Sequence, residues 1–427
     1  MEFNYKKVLI FGYGKSGHAV EDVLISENVD YKIYDDKIDV DGEKFIQNLN
    51  KKVLKQFDLI VISPAISIYN KHIKLAKKMG IKVISEIEFA YYFCKSEIIA
   101  ITGTNGKTTT VELIHHILKN NGVDCELLGN IGTPFSCTYN SNKSVTILEV
   151  SSFQLEAIEY FKPHIAVLLN VDADHLDRHK TLDIYKQTKF NIFKNQTETD
   201  FAIINNDFRL KEYQNNIKSN IFYINGFGIQ VIDGTIYIND DIEQIRVCDV
   251  KELKQINTCL DNILASILVC FLYGINLKDI LNSLESFKID KYKLEVVATK
   301  NGVTYINDSK ATNIHAMKHA LKFLENKSVY LMLGGYDKKL DFTEFFNNVP
   351  INVVKIVLFG DLGKKLAKTC KKCKYNNFVK TNKLIDAINY CKQNATKNSV
   401  VLLSPASSSF DEFDSFKERG DFFTKNI

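Results

Sequence analysis

Along nearly all of its 427 residues the chain alternates short apolar runs with amphipathic stretches. Apolar runs of about four to eight residues that alternate with helical periodicity mark parallel strands joined by crossover helices. An α/β protein is therefore expected throughout. One hydrophobic core has usually stopped growing at this length, so several domains are expected as well. VLIFGYG (8–14), YKIYDD (31–36) and DLIVISPA (58–65) are strands of a first unit closed by IKVISEIEFAYYF. EIIAITG (97–103) opens a second, continued by TILEV (145–149), HIAVLLNV (164–171) and an apolar helix after Asn262. VTYINDS, VYLMLGG, KIVLFG and VVLLSPA are the strands of a third. The boundaries are drawn at 1–94, 95–290 and 291–427.

Composition removes several function classes. The net charge is only +4, with lysines scattered among acids, so there is no basic stripe for nucleic acid. The nine cysteines have no disulfide rhythm, which suits a reducing compartment, and Cys370-x-x-Cys373 lacks the second pair of a zinc site. MEFNYKKVLIFGYG runs directly into a strand without a signal-peptide layout. The longest apolar stretch, ILASILVCFLYGI (263–275), is too short to span a bilayer and reads as a buried helix. A cytoplasmic protein without membrane insertion is expected.

In open α/β sheets ligands bind beyond the carboxyl ends of strands, and the polar motifs fall there. Gly12, Gly14 and Gly17 have G-x-G-x-x-G spacing after a strand, with Asp35 eighteen residues past the last glycine. The glycines admit a pyrophosphate to a helix N-terminus and the acid can hold a ribose hydroxyl. NAD or any nucleoside diphosphate satisfies that geometry, and Asp36 and Lys37 do not decide between them. SPAI (63–66) ends a neighbouring strand.

The second unit opens with ITGTNGKTTT (101–110), a phosphate loop whose first glycine is displaced: the usual template needs glycine where Ile101 stands. Gly103 and Gly106 let backbone amides face an anion, Lys107 supplies charge to the β and γ phosphates, and the Thr108 hydroxyl can reach Mg²⁺. ATP is the ligand this implies. Glu149 ends the strand TILEV, before Ser151 and Gln154, where a magnesium ligand fits. NVDADHLDRH (170–179) gathers Asp172, Asp174, His175, Asp177 and Arg178 at another strand end, although a solvated helix cap explains such a cluster equally well. Lys189 lies on an expected helix, where a lone lysine is ordinarily at the surface. NDSKATN (307–313), GGYDKKLDF (334–342) and LLSPASSSFDEFDSFKERG (402–420) each follow a strand of the third unit and suit a polar, anionic second substrate.

GTNGKTT, EVSSFQLE (149–156), NVDADHLDRH, NDSKATN, GG-x-DK-x-x-DF and LSPASSSFDEFDSFKERG together resemble the Mur ligase family, ATP-dependent enzymes that extend the peptide of the bacterial cell-wall precursor. The resemblance covers essentially the whole chain. It implies a Rossmann-like N-terminal domain, a central P-loop ATPase-type domain with a parallel sheet, and a Rossmann-like C-terminal domain. It also implies UDP-N-acetylmuramoyl-L-alanine, D-glutamate and ATP as substrates, with two Mg²⁺ ions, in a monomer.

The resemblance distributes the residues as follows. Gly14, Lys15, Ser16 and Asp35 would hold the uridine diphosphate, with Asn130 of GNIG (129–132), Ser151 and Gln154 toward the muramoyl-alanine part. Gly103, Thr104, Asn105, Gly106, Lys107, Thr108 and Thr109 would surround the ATP phosphates, and Asn262, Lys293 and Asp308 would contact the nucleoside. Thr108 and Glu149 would hold one metal ion, and His175 the other with Lys189, which family members carry as a carbamate. Lys107, His175 and Lys189 would be the catalytic groups, and Lys310, Thr312, Lys338, Ser409 and Phe416 would receive D-glutamate. In the family's mechanism the alanyl carboxylate takes the γ-phosphoryl group, and the amine of D-glutamate attacks the acyl phosphate. Two departures stand out. The family's HN-x-x-N is Thr258-Cys259-Leu260-Asp261-Asn262, and Tyr292 and Lys293 replace a histidine and an arginine. Lysine lacks the planar fork of arginine, so nucleotide contacts there are expected to be rearranged.

Overall fold

A computed structural model describes residues 2–36, 42–130, 132–172, 174–239, 243–253, 258–287, 291–338 and 340–427, without the side chains of Asp177, His315 and His319. Of the positions singled out above, Lys37, Ile131, Ala173 and Lys339 lie outside the described residues. The chain divides into two compact units, Met1–Phe287 and Lys288–Ile427.

Two sheets form among the described residues of the first unit. One is wholly parallel, from β1 (Lys7–Phe11), β2 (Asp30–Tyr34), β3 (Leu59–Ile62) and β4 (Lys82–Ser85) in the order β2-β1-β3-β4. The other contains β5 (Glu97–Thr102), β6 (Cys125–Gly129), β7 (Val145–Glu149), β8 (Ile165–Leu168), β9 (Phe201–Asn205), β10 (Asn220–Ile224), β11 (Gly228–Ile232), β12 (Thr235–Asn239) and β13 (Gln244–Asp249). Its order is β13-β12-β11-β10-β9-β8-β5-β7-β6, parallel from β6 to β11 and antiparallel beyond. The register pairs both Ile101 and Gly129 with Glu149, so the ends of β5, β7 and β6 lie in one row. The expected α/β class holds, and the antiparallel β11–β13 extension is an addition to it.

The helix Lys107–Asn120 shows why the phosphate loop is held firmly. Val111, Leu113, Ile114, Ile117 and Leu118 recur at helical spacing and are buried with Ile147 and Val167 of the sheet and Leu264 and Leu268. Burying each such side chain contributes about 1.5–3 kcal/mol. The helix stops at Asn121-Gly122, where Gly122 adopts a φ of 77°. Most of the apolar stretch expected to be a buried helix, residues 263–272, lies in the helix Leu260–Leu272, which is buried from Asn262 to Cys270, and the last three residues of the stretch follow the helix end. Asn262 does not precede this helix as expected. Cys259 is the N-cap, so Asn262 sits in the first turn, its amide donating to Thr258 Oγ1 at 3.1 Å. Among the described residues no helix is long and apolar enough to cross a membrane.

The short helix Glu86–Tyr91 joins the two sheets through buried carboxylates. Glu86 accepts from the Ser136 amide at 2.6 Å and hydroxyl at 2.8 Å. Glu88 accepts from the backbone N–H groups of Glu159, Tyr160 and Phe161 at 2.9, 2.8 and 2.9 Å.

In the second unit β14 (Glu295–Lys300) runs antiparallel to β15 (Val303–Asn307), followed in space by β19 (Ser399–Leu403), β16 (Ser328–Gly334), β17 (Val353–Phe359) and β18 (Phe378–Lys380), all parallel to β15. Leucine, isoleucine and phenylalanine from both faces fill two cores around it.

Glu88→Ala should leave three backbone N–H groups, that of Phe161 buried and two part-buried, without their acceptor and cost about 1–3 kcal/mol in urea denaturation, with a smaller loss for Glu88→Gln. Equal losses for both variants, or none, would contradict this account of how the two sheets are joined.

Candidate functional site

At the carboxyl ends of β1, β2 and β3 lies a cavity of about 810 Å³, lined by Gly12, Gly14, Lys15, Ser16, Asp35, residues 63–67, Gly129, Asn130 and Gln154. Gly14, Lys15, Ser16, Asp35, Asn130 and Gln154 of the expected substrate set are thus brought together. Gly17 packs so closely that a methyl group there would run into the Gly12 carbonyl. Asp35 accepts from the Tyr13 amide at 2.7 Å, which fixes its carboxylate against the glycine loop. Ser151 caps the next helix and exchanges hydrogen bonds with Gln154, which orients that side chain at the cavity wall.

The phosphate loop lies beside this cavity. Gly106 is the N-cap of Lys107–Asn120 with φ 85°, and a methyl group there would collide with Asn262 Oδ1, so only glycine lets Asn262 approach the loop. The Lys107 ammonium donates to the Gly103 and Thr104 carbonyls at 2.8 and 3.0 Å. Lys189, fully buried although a lone lysine on a helix is ordinarily at the surface, donates to the same Gly103 carbonyl at 2.8 Å. Burial, and next the neighbouring Lys107, push the Lys189 amine well below the usual lysine range, and burial lowers Lys107 as well. The Thr108 hydroxyl donates to Glu149 Oε2 at 2.9 Å, and the Asn130 amide donates to Glu149 Oε1 at 2.9 Å. One carboxylate thereby touches both the loop and the cavity.

His175 precedes the turn of helix Leu176–His179 with φ 52°. Its amide donates to Asp174 at 2.8 Å, and its half-exposed ring lies 4.8 Å from the Phe153 ring, between centroids. Lys189 and His175 flank Tyr185, the amine 4.7 Å and the imidazole 6.4 Å from its ring centre. Among the described residues no three His, Cys, Asp or Glu side chains converge on a metal position. Thr108 with Glu149 nonetheless fits Mg²⁺ chemistry, because that ion is commonly held by one or two carboxylates plus substrate phosphates and water.

Asn170, quoted above only as part of a motif, clamps the loop. Its Oδ1 accepts from the Asn105 amide at 2.8 Å, its Nδ2 donates to the Asn105 carbonyl at 3.1 Å, and its own carbonyl accepts from the Thr104 amide at 2.9 Å. An asparagine at a strand end beside a shortened loop was the available signal. The loop is braced from β8 rather than by extra residues of its own.

Three family models match in succession: Mur ligase MurD-like, N-terminal domain, at residues 6–85; Mur ligase middle domain at 101–264; and Mur ligase, glutamate ligase domain, at 294–407. The UDP-N-acetylmuramoylalanine–D-glutamate ligase of Lachnoclostridium phytofermentans is 34% identical over 449 residues, covering 100% of this chain and 99% of that protein. The chain belongs to the Mur ligase family. A ligase of the same description from Thermoanaerobacter sp. is 37% identical over 452 residues, with 100% and 99% covered. Among solved structures, the MurF ligase of Thermotoga maritima in complex with ADP shares the fold at TM-score 0.58 and 18% identity, with 98% of this chain and 94% of that chain covered. MurC from the same organism matches at TM-score 0.56 and 16% identity, with 99% of each chain covered.

In the second unit of this Mur ligase, the three polar loops leave adjacent parallel strands, β15, β19 and β16, at one edge of the sheet. Lys338 donates to the Thr312 carbonyl at 3.1 Å, which unites two residues of the expected D-glutamate set. The Lys310 amide donates to the Tyr292 carbonyl at 2.9 Å, and the Phe416 carbonyl accepts from Ser309 Oγ at 2.8 Å. Ser409 is buried, and its carbonyl accepts from the amides of Glu412 and Phe413 at 3.0 and 2.8 Å. Arg419, passed over in the motif, joins the loops: it donates to Ser309 Oγ, Ser309 O and Ser407 O, each at 2.9 Å. Burial lowers its guanidinium to about 10. Asp308 accepts from Ser404 Oγ at 2.7 Å and the Leu294 amide at 3.2 Å, and burial raises its carboxyl to about 7, with Lys293 opposing.

A carboxyl raised by folding favours the native state below its unfolded pKa, and that contribution is lost as pH rises through the folded value. Stability of the second unit should therefore fall between about pH 4 and pH 7 through Asp308, and Asp308→Asn should flatten that part of the profile. Denaturation midpoints measured across this range with an unchanged slope in the variant would contradict the assignment.

Proposed function

We propose that the chain joins D-glutamate to UDP-N-acetylmuramoyl-L-alanine with ATP hydrolysed to ADP and phosphate, a step of peptidoglycan precursor synthesis. The observation that carries the reading is Glu149, whose two oxygens meet Thr108 of the phosphate loop and Asn130 of the cavity at 2.9 Å each. A ligase of this kind must bring a γ-phosphoryl group to a carboxylate held in a second pocket, and Glu149 is the point where the two sites touch. The names of the full-length relatives supply the substrates.

In this reading Gly14, Lys15, Ser16 and Asp35 hold the uridine diphosphate, and Asn130, Ser151 and Gln154 orient the muramoyl-alanine end. The amides of residues 103–109 and the Lys107 ammonium receive the ATP phosphates, with Asn262 against the same loop. Thr108 and Glu149 would hold Mg²⁺, which when bound would supply positive charge to the phosphoryl oxygens. Phosphoryl transfer depends mainly on positioning and charge neutralisation, so Lys107 stabilises charge as the alanyl carboxylate attacks. The amine of D-glutamate, with its carboxylates against Lys338, Lys310, Thr312 and Ser409 and its body near Phe416, then displaces phosphate from the acyl phosphate. His175 and Lys189 belong to a second cation position. The Lys189 amine can add to CO₂ as its neutral form, giving a carbamate and a proton, and burial favours that form.

Phosphate release by the purified protein with ATP, Mg²⁺ and UDP-N-acetylmuramoyl-L-alanine should depend on D-glutamate and not on L-glutamate, meso-diaminopimelate or L-lysine. Lys107→Met should lower kcat by about 10²-fold or more. Release driven by another amino acid would overturn the specificity, and silence with all four would overturn the reading itself.

A further inference from the structure

Arg178 has no role in the scheme above, yet its side chain is almost wholly enclosed, 9% exposed against 2% for its partner Glu156. Its Nε donates to Glu156 Oε1 and Oε2 at 3.1 and 3.2 Å, and its Nη2 to Glu156 Oε2 at 2.5 Å. The remaining donors reach backward by more than a hundred residues: Nη1 to the Pro64 carbonyl at 2.6 Å and Nη2 to the Ile66 carbonyl at 2.9 Å. Pro64 and Ile66 line the cavity, and Ser63 beside them donates to the Gly12 carbonyl at 2.6 Å. The guanidinium also lies over the Phe153 ring, 4.0 Å from its centre, and the His175 ring lies 4.8 Å from the same ring.

The network returns to the cavity by a second route. His179 Nδ1 is 3.6 Å from Glu156 Oε1, and its Nε2 is 3.0 Å from Ser152 Oγ. Ser152 opens the short helix that carries Gln154 to the cavity wall. A buried carboxylate shared by arginine and histidine therefore ties two walls of one cavity to the turn that bears His175. Ser152, His179 and Glu156 are spaced like a hydrolytic triad, but all three are buried, so the set is structural.

We propose that Arg178 is a positioning residue that fastens the Ser63–Ile66 wall of the sugar-nucleotide pocket to the His175–His179 turn, so that the UDP-linked substrate and the reacting end are set by one clamp. This rests on the cavity being the site of the UDP-linked substrate. The clamp requires arginine: a planar group stacks on Phe153 while its fork reaches a carboxylate on one side and two carbonyls on the other, and an ammonium cannot do both.

The test is steady-state kinetics of the complete reaction for wild type, Arg178→Lys and Arg178→Ala, with each substrate varied in turn. Arg178→Lys should raise KM for UDP-N-acetylmuramoyl-L-alanine about 10-fold and lower kcat by a similar factor, with KM for D-glutamate within about two-fold of wild type. Low millimolar guanidinium should restore part of the activity of Arg178→Ala; if that variant does not fold, the lysine variant decides. Wild-type kinetic constants in Arg178→Lys would overturn the proposal, as would an equal rise in KM for all three substrates, which is the mark of general loosening. An inactive wild type would instead count against the function proposed above.

Discussion

A single buried carboxylate organises the first unit. Glu149 lies at the end of β7, and the parallel register sets it level with Ile101 of β5 and Gly129 of β6. The chain then leaves all three strands on the same edge, as a phosphate loop, a capped helix start and a cavity wall. Thr108 and Asn130 each satisfy one oxygen of Glu149, so a shift of either loop would strand a buried charge, which is costly at low dielectric. The two sites are therefore fixed relative to each other by strand register, before any substrate arrives.

Charge placement around the loop follows the same logic. Lys107 and Lys189 both point at the Gly103 carbonyl, an arrangement that concentrates two buried amines on one acceptor. Burial pushes both amines below the usual lysine range, and at Lys189 the neighbouring Lys107 adds to the effect. Asn170 keeps the shortened loop from relaxing away from that position.

Much of this was legible along the chain because parallel strands announce themselves as apolar runs and their ligand loops follow at once. The glycine loop, Glu149, the lysine of the phosphate loop and the three C-terminal polar loops all lie where strand ends were expected. Burial of Lys189 was not legible from the residues, since one lysine on a helix reads as surface until the packing around Tyr185 is known. The β11–β13 meander was missed although VIDGTIY carries a hairpin signal: Asp233 and Gly234 adopt φ 48° and 80°, the paired positive angles of a tight two-residue turn. Arg178 was read only as one member of a polar cluster and Arg419 only as part of a loop motif. Their meaning lies in carbonyls 112 to 114 residues upstream for the first and 110 and 12 residues away for the second, a separation no local pattern records.

The central claim is that Glu149 marks the meeting point of a phosphoryl donor and a carboxylate acceptor. It is tested most directly by supplying UDP-N-acetylmuramoyl-L-alanine with both oxygens of its alanyl carboxylate labelled with ¹⁸O and analysing the released phosphate by mass spectrometry. Transfer of one labelled oxygen to each phosphate, with the other retained in the amide, is the result this account predicts. Phosphate free of label, with amide still formed, would contradict it.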